Sequence, residues 1–319
     1  KPSLALQSLG NVFLISVIVL GAGAGGGFPQ WNSNAPGCRR ARAGDPAALP
    51  RTQTSVAVSA DRKNWFLLNA APDLRAQIER TLELHPTAGL RSSPIAGVAL
   101  AGAEVDAVAG LLTLREGHAF SIFATQTAHA QLDENPIFEV LARAIVKRVT
   151  IALDTPIPFA LPNGAPSGLT LTAFATPGKT PLYKERAGDT APMAQDGSAG
   201  LEITDGHARL LFVPGCATMS DGLRTRFAGA DALFLDSTLW TDDEMERAGI
   251  AKRTGQAMGH MSISGPDGVL ATLAGVTISR RVMIHINNTN PILLEDSAER
   301  ATAEAAGWQV AYDGMRFEL

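Results

Sequence analysis

Residues 284–300 read IHINNTNPILLEDSAER, and within that stretch the chain changes character twice. The apolar run VMIHI (282–286) suits a buried strand, and it carries His285 near its carboxyl end. A polar run follows, Asn287, Asn288 and Asn290, closed by Pro291. Asp296 then reads as the N-cap of a helix over 297–306, with Gly307 as its stop. A strand that feeds a polar turn and then a helix is the unit of an α/β fold. In such folds ligands gather where the carboxyl ends of strands meet loops, so His285 and the three asparagines are candidate site residues.

The same pattern recurs on both sides. Short apolar runs at 15–20, 54–59, 65–69, 95–100, 169–174, 209–213, 232–236 and 308–312 read as strands covered on both faces by helices. Helices are expected at 73–84, 104–112, 128–145, 221–228 and 266–274. Asp313-Gly314 is a turn dipeptide that predicts a hairpin between 308–312 and 315–318. Segments 21–53 and 162–198 read as long loops of the kind that cover sites. At 319 residues, 45% hydrophobic and 18% charged, the chain can bury a sizeable core. A net charge of −4 argues against nucleic acid or an anionic membrane as partner. The two cysteines, Cys38 and Cys216, suit free thiols in a reducing cytoplasm.

Two features at the amino end superficially suggest a membrane segment and a dinucleotide site. VFLISVIVL (12–20) is apolar but too short to span a bilayer, and its β-branched residues suit a first strand, leaving 1–14 as an extension before one domain at 15–319. No integral membrane span is expected. Gly21, Gly23 and Gly26 spell G-x-G-x-x-G, yet the chain continues Phe28-Pro29-Gln30-Trp31, which is no helix to face a pyrophosphate. The glycines read as a turn that lets backbones pack closely.

The stretch GAGAGGGFPQWNSNAPGC (21–38) resembles the opening of the PqqB family of pyrroloquinoline quinone (PQQ) synthesis. The resemblance runs on through PRTQTSVAVS (50–59), LLNAAPDLRAQI (67–78), GLLTLREG (110–117), TLWTDDEM (238–245), RTGQAMGHMSISG (253–265) and IHINNTNPILLEDSAER. It covers residues from about 15 to 319 and is weakest over 126–200. It implies the metallo-β-lactamase-like αββα sandwich, two mixed sheets flanked by helices. That superfamily holds metals with H-x-H-x-D-H, a later loop histidine, an aspartate and a final histidine. Here Gly102 and Glu104 stand at the first two histidine positions, and Asp106 remains. Ala107 stands where many PqqB sequences have histidine, Lys179 replaces the histidine of a T-P-G-H-T-like loop, and Cys216 falls near the bridging aspartate. A dinuclear zinc hydrolase cannot be built from these side chains.

What the resemblance leaves is Asp106, Asp236, His260 and His285. Asp106, Asp236 and His285 are expected as ligands for one Fe(II), or zinc, and His260 as an acid/base group. Asp236 and His260 match an acidic residue and a proton-transferring histidine in the tRNA-processing branch. His85, His118, His129 and His207 are given surface or packing roles. PqqB proteins commonly carry C-x-C-x-x-C after F-P-Q-W-N; Ser33, Ala35 and Cys38 stand there, so no structural zinc is expected, and Phe28 and Trp31 are expected to anchor the loop. The implied activity is iron-dependent hydroxylation of the tyrosine ring in a Glu–Tyr cross-linked PQQ precursor. Other proteins of the pathway are expected as partners. The alternative is a non-catalytic carrier moving PQQ or its precursor towards the periplasm. In either case Trp31, Asn287, Asn288 and Asn290 are candidate substrate contacts.

Overall fold

A computed structural model describes residues 14–185 and 194–319. The expected extension at 1–14 therefore lies outside the described residues, apart from Leu14. The strands, in chain order, are β1 Ser16–Gly21, β2 Ser55–Ser59, β3 Trp65–Leu68, β4 Ile95–Ala99, β5 Phe120–Ala124, β6 Val146–Thr150 and β7 Ile157–Pro158. They continue with β8 Thr170–Ala175, β9 Ala199–Thr204, β10 Arg209–Val213, β11 Ala230–Asp236, β12 Ile278–Ile284, β13 Trp308–Val310 and β14 Arg316–Glu318. The helices are α1 Pro36–Arg42, α2 Leu74–Glu79, α3 Val105–Val108, α4 Gln126–Asp133, α5 Asp221–Phe227, α6 Glu244–Arg247, α7 Val269–Thr272 and α8 Ala298–Ala305. No helix among the described residues is long and apolar enough to cross a membrane.

The strands form two mixed sheets of seven, ordered β14-β1-β2-β3-β4-β5-β6 and β13-β12-β11-β10-β9-β8-β7. Alternation along each strand explains the layering. Val17, Val19, Val56, Val58, Phe66 and Phe123 of one sheet meet Leu201, Ile203, Leu210, Phe212, Phe234 and Val282 of the other in a single core. Their neighbours in sequence point outward and are covered by helices, with Leu74, Leu111 and Leu132 over the first sheet and Leu223, Phe227, Val269 and Ala303 over the second. Each large apolar side chain so buried stabilises by about 2 kcal/mol. The result is an αββα sandwich, two face-to-face mixed sheets with helices outside, as the resemblance implies.

Several expectations are corrected. No hairpin joins 308–312 to 315–318: β13 pairs with β12 in the second sheet, whereas β14 pairs with β1 in the first. The Asp313-Gly314 turn carries the chain across the sandwich instead. The helix expected over 128–145 ends at Asp133, because Asn135-Pro136 starts a 3-10 turn and the chain then enters β6. The helix expected over 104–112 is α3 followed by a 3-10 segment at Ala109–Leu114. There Gly110 lies so close to another backbone that an added Cβ would stand 2.1 Å from Ala71 O. Ser297, not Asp296, caps α8, accepting from Arg300 N, while Asp296 pairs with Arg40.

The segment 21–53 is ordered. It contains α1, is closed on itself by bridges from Gly23 to Gln53 and from Phe28 to Arg51, and meets the residues after β12 through a bridge from Gly23 to Ile286. Phe28 is buried as expected, but Trp31 is 85% exposed and anchors nothing. The space facing Cys38 Sγ holds Asn288, whose Oδ1 is 3.6 Å away. Both cysteines are free and buried.

Candidate metal and ligand site

The site begins where β11 ends. Asp236 is the last residue of that strand and is fully buried. Its Oδ2 accepts from Cys216 N at 2.9 Å and faces His260 Nδ1 at 2.7 Å. Its Oδ1 accepts from Thr238 N at 3.1 Å and Thr238 Oγ1 at 2.7 Å. A buried carboxylate is tolerable only with such partners. Asp236 and burial together also push the Cys216 thiol up to about 12, burial being the larger cause, which leaves this sulfur unreactive.

His260 comes from the loop after a 3-10 turn at Gln256–Met258. The loop is fixed by His260 N donating to Gly255 O at 2.9 Å and by Met261 N donating to Cys216 O at 2.7 Å. Its Nε2 has no protein partner among the described residues. His285 follows β12 directly, one residue beyond the regular strand. It holds φ at 59°, an unusual conformation for a residue with a side chain. Ile284 before it pairs with Asp236 in the second sheet, while Ile286 after it bonds to Ala22 and Ala24 of the segment leaving the first. The side chain is thereby set between the two sheets.

Asp106 comes from the other sheet, on α3, and its Oδ2 lies 3.0 Å from His285 Nε2. The opposite ring nitrogen, Nδ1, lies 2.9 Å from Thr238 Oγ1, which is also 3.1 Å from His260 Nδ1. Thr238 has one hydroxyl proton to give. A ring that holds a metal through Nδ1 keeps its one proton on Nε2, where Asp106 accepts it. Burial opposes charge on both partners, but their mutual hydrogen bond and attraction hold Asp106 below its usual range and His285 above its own. The imidazoles of His260 and His285 stack with centroids 5.2 Å apart.

Asp236, His260 and His285 each offer a ligand atom, and these atoms lie within 4.8 Å of one another. Two imidazoles and one carboxylate form a donor set that fits a divalent transition metal. Above them opens a cavity of about 360 Å³. Asp106, Thr238, Asn287, Glu104, Lys179 and Arg253 are among the side chains lining it.

All four residues read as metal or acid/base groups thus come together. The expected substrate contacts do not. Asn287 lines the cavity. Asn288 is buried and donates to Gln30 Oε1 at 2.6 Å. Asn290 is buried and donates to Ser237 O at 3.0 Å. Trp31 is not part of the cavity wall. Thr238 and Arg253 were not singled out in the sequence. For Thr238 the available signal was a hydroxyl two residues beyond a strand-end aspartate, too common to stand out.

Residues 64–286 match the family described as the beta-lactamase superfamily domain. The coenzyme PQQ synthesis protein B of Gluconacetobacter diazotrophicus is 60% identical over 304 residues, covering 95% of this chain and 99% of that protein. Its counterpart in Gluconobacter oxydans is 53% identical over 306 residues, covering 96% and 99%. The crystal structure of Zn(2+)-bound PqqB from Methylobacterium extorquens matches with a TM-score of 0.90 at 48% identity, over 95% of this chain and all of that one (100%). A diphosphatase of the PhnP family, 18% identical with a TM-score of 0.68 over 96% of this chain and 97% of its own, shares the fold.

Proposed function

The chain belongs to the coenzyme PQQ synthesis protein B family of the metallo-β-lactamase superfamily, and on that premise we propose a metal-dependent hydroxylation for its step in PQQ synthesis. The substrate in this reading is the tyrosine ring of a Glu–Tyr cross-linked precursor. The observation that carries it is the two-imidazole, one-carboxylate set of Asp236, His260 and His285, whose histidines line a cavity while Asp236 lies buried behind them. Sets of that composition with open positions suit non-haem Fe(II); zinc fits the same donors. When bound, such an iron would supply the activation of oxygen.

The remaining roles fall to the chain's own groups. Asp106, on the far nitrogen of His285, orients that ring, as carboxylates behind metal-bound histidines do. This moves Asp106 from the ligand role expected of it to a supporting one, and His260 from acid/base group to ligand. Thr238 holds both rings towards Asp236. Asn287 offers its amide to a substrate.

The test is anaerobic Fe(II) binding, then oxygen uptake with precursor and ascorbate as reductant. His285→Ala is expected to abolish stoichiometric binding and substrate-dependent uptake. Asp106→Asn is expected to weaken metal affinity by about 10–100-fold without abolishing it. Binding by His285→Ala equal to the parent would sink the reading. A second reading, the carrier, draws on Lys179, Arg253 and Asn287 in the same cavity wall, groups suited to an acidic quinone. It gains the ground if chelation leaves PQQ binding intact and no oxygen is consumed.

A further inference from the structure

Two cations in the cavity wall share one carboxylate of the chain itself. Lys179 Nζ lies 2.6 Å from Glu185 Oε1, and Arg253 Nη2 lies 2.9 Å from Glu185 Oε2. One oxygen therefore serves each cation, and the carboxylate bridges them. Lys179 and Arg253 both line the cavity. The three side chains are 25%, 42% and 28% exposed in the order Lys179, Arg253, Glu185, so the trio is partly withdrawn from water. The two cations hold Glu185 below the usual carboxylate range, with the Lys179 hydrogen bond the larger influence.

Lys179 is placed there by the loop that also carries His260. Gly259, at φ 88°, leaves room for its stem: a Cβ at that position would stand 3.0 Å from Lys179 Cγ. Without a bridging anion, two like charges would face one another across a partly dry wall, an arrangement that favours capture of an anion. Glu104 and Asp106 in the same lining would repel a ligand carboxylate, which biases an acidic end towards the two cations.

We propose that Lys179 and Arg253 form the carboxylate subsite of this cavity, and that Glu185 is its internal occupant, displaced when a ligand carboxylate binds. Planar bidentate recognition by arginine and a point charge from lysine is a common way to hold a carboxylate. No bond is made or broken; one ion pair replaces another. The inference rests on the cavity being the ligand site, and not on the metal or on oxygen chemistry.

The probes are PQQ, a tricarboxylate, and its trimethyl ester, titrated by fluorescence quenching in the presence of EDTA. Chelation separates this test from the metal-dependent reading, which can fail without affecting it. Glu185→Gln removes the competitor and is expected to tighten PQQ binding by about tenfold. Lys179→Gln and Arg253→Gln are each expected to weaken it by about tenfold or more. The ester should respond to none of the three. Unchanged or weaker PQQ binding by Glu185→Gln would overturn the proposal, as would equal responses of acid and ester, or no binding of the acid by any variant. Far-ultraviolet dichroism confirms that each variant is folded, and using two separate cation variants keeps the test decisive if one is not.

Discussion

Glu244 shows how the cavity wall is held at the level of a single side chain. It opens α6, half-buried, and accepts from Trp240 N at 2.6 Å and from Thr289 Oγ1. Thr289 Oγ1 in turn accepts from Asn287 Nδ2 at 2.6 Å, so the amide that faces the cavity is oriented from behind. Burial pushes the Glu244 carboxyl from 4.5 up to about 7, against these hydrogen bonds. An acid raised in this way favours the folded state fully below its unfolded value. That advantage is lost as pH rises through the folded one. The effect is on the order of 2 kcal/mol. Glu244→Gln should therefore flatten the fall in urea-unfolding stability between about pH 5 and about pH 8; the same fall in parent and variant would refute this. At this scale the sequence disclosed the ionisable groups and little else. Asp106, Asp236, His260 and His285 announced themselves through chemistry and strand-end position. Nothing in N-N-T-N tells which amide faces the cavity, because that depends on the turn the backbone takes after His285.

The turn itself is an element with a measurable cost. Asn290 caps the 3-10 segment Pro291–Leu293, accepting from Ile292 N at 3.1 Å and donating to Ser237 O at 3.0 Å. Asn290→Ala would strip partners from buried backbone groups and should destabilise by about 2 kcal/mol in denaturant titration. Unchanged stability with loss of PQQ affinity would instead return Asn290 to the ligand contacts. Elements with strong apolar runs, such as β10 and β11, were legible in sequence. β5, β6 and β9 were not, since partly polar runs such as VKRVT (146–150) give no clear period. The helices were overlong in the sequence reading because proline and close backbone contacts, at Pro136 and Gly110, stop them locally.

At the scale of the molecule, β14 adds a contact from one sheet to the other at the edge of the shared core. Phe317, on β14 of the first sheet, stacks at 5.8 Å on Phe234 of β11 in the second, and Arg280 lies 4.4 Å over its ring. Phe317→Ala should cost about 2 kcal/mol, less than a fully buried phenylalanine because this ring is only partly covered, and calorimetry should show the melting point fall by a few degrees. An unshifted melting point would mean that the sheets are joined without it. A local turn dipeptide could not reveal this crossing, because Asp313-Gly314 is equally compatible with a hairpin and with a passage between layers.

His285 is fixed through its neighbours, Ile284 paired with Asp236 and Ile286 bonded to Ala22 and Ala24 just beyond β1, and Asp106 and Thr238 reach its ring from widely separated parts of the chain. A nascent polypeptide emerges from the ribosome in order, its early segments collapsing first. For most of synthesis, then, the growing chain would possess Asp106 without its imidazole, and later the Asp236–His260 pair without the residue that joins them to it. The binding centre is completed only once His285 has been made, so an ion captured earlier would meet a partial set of donors. A product truncated before His285 would lack the imidazole that links Asp106 to the Asp236–His260 pair, and with it β14, the edge strand of the first sheet.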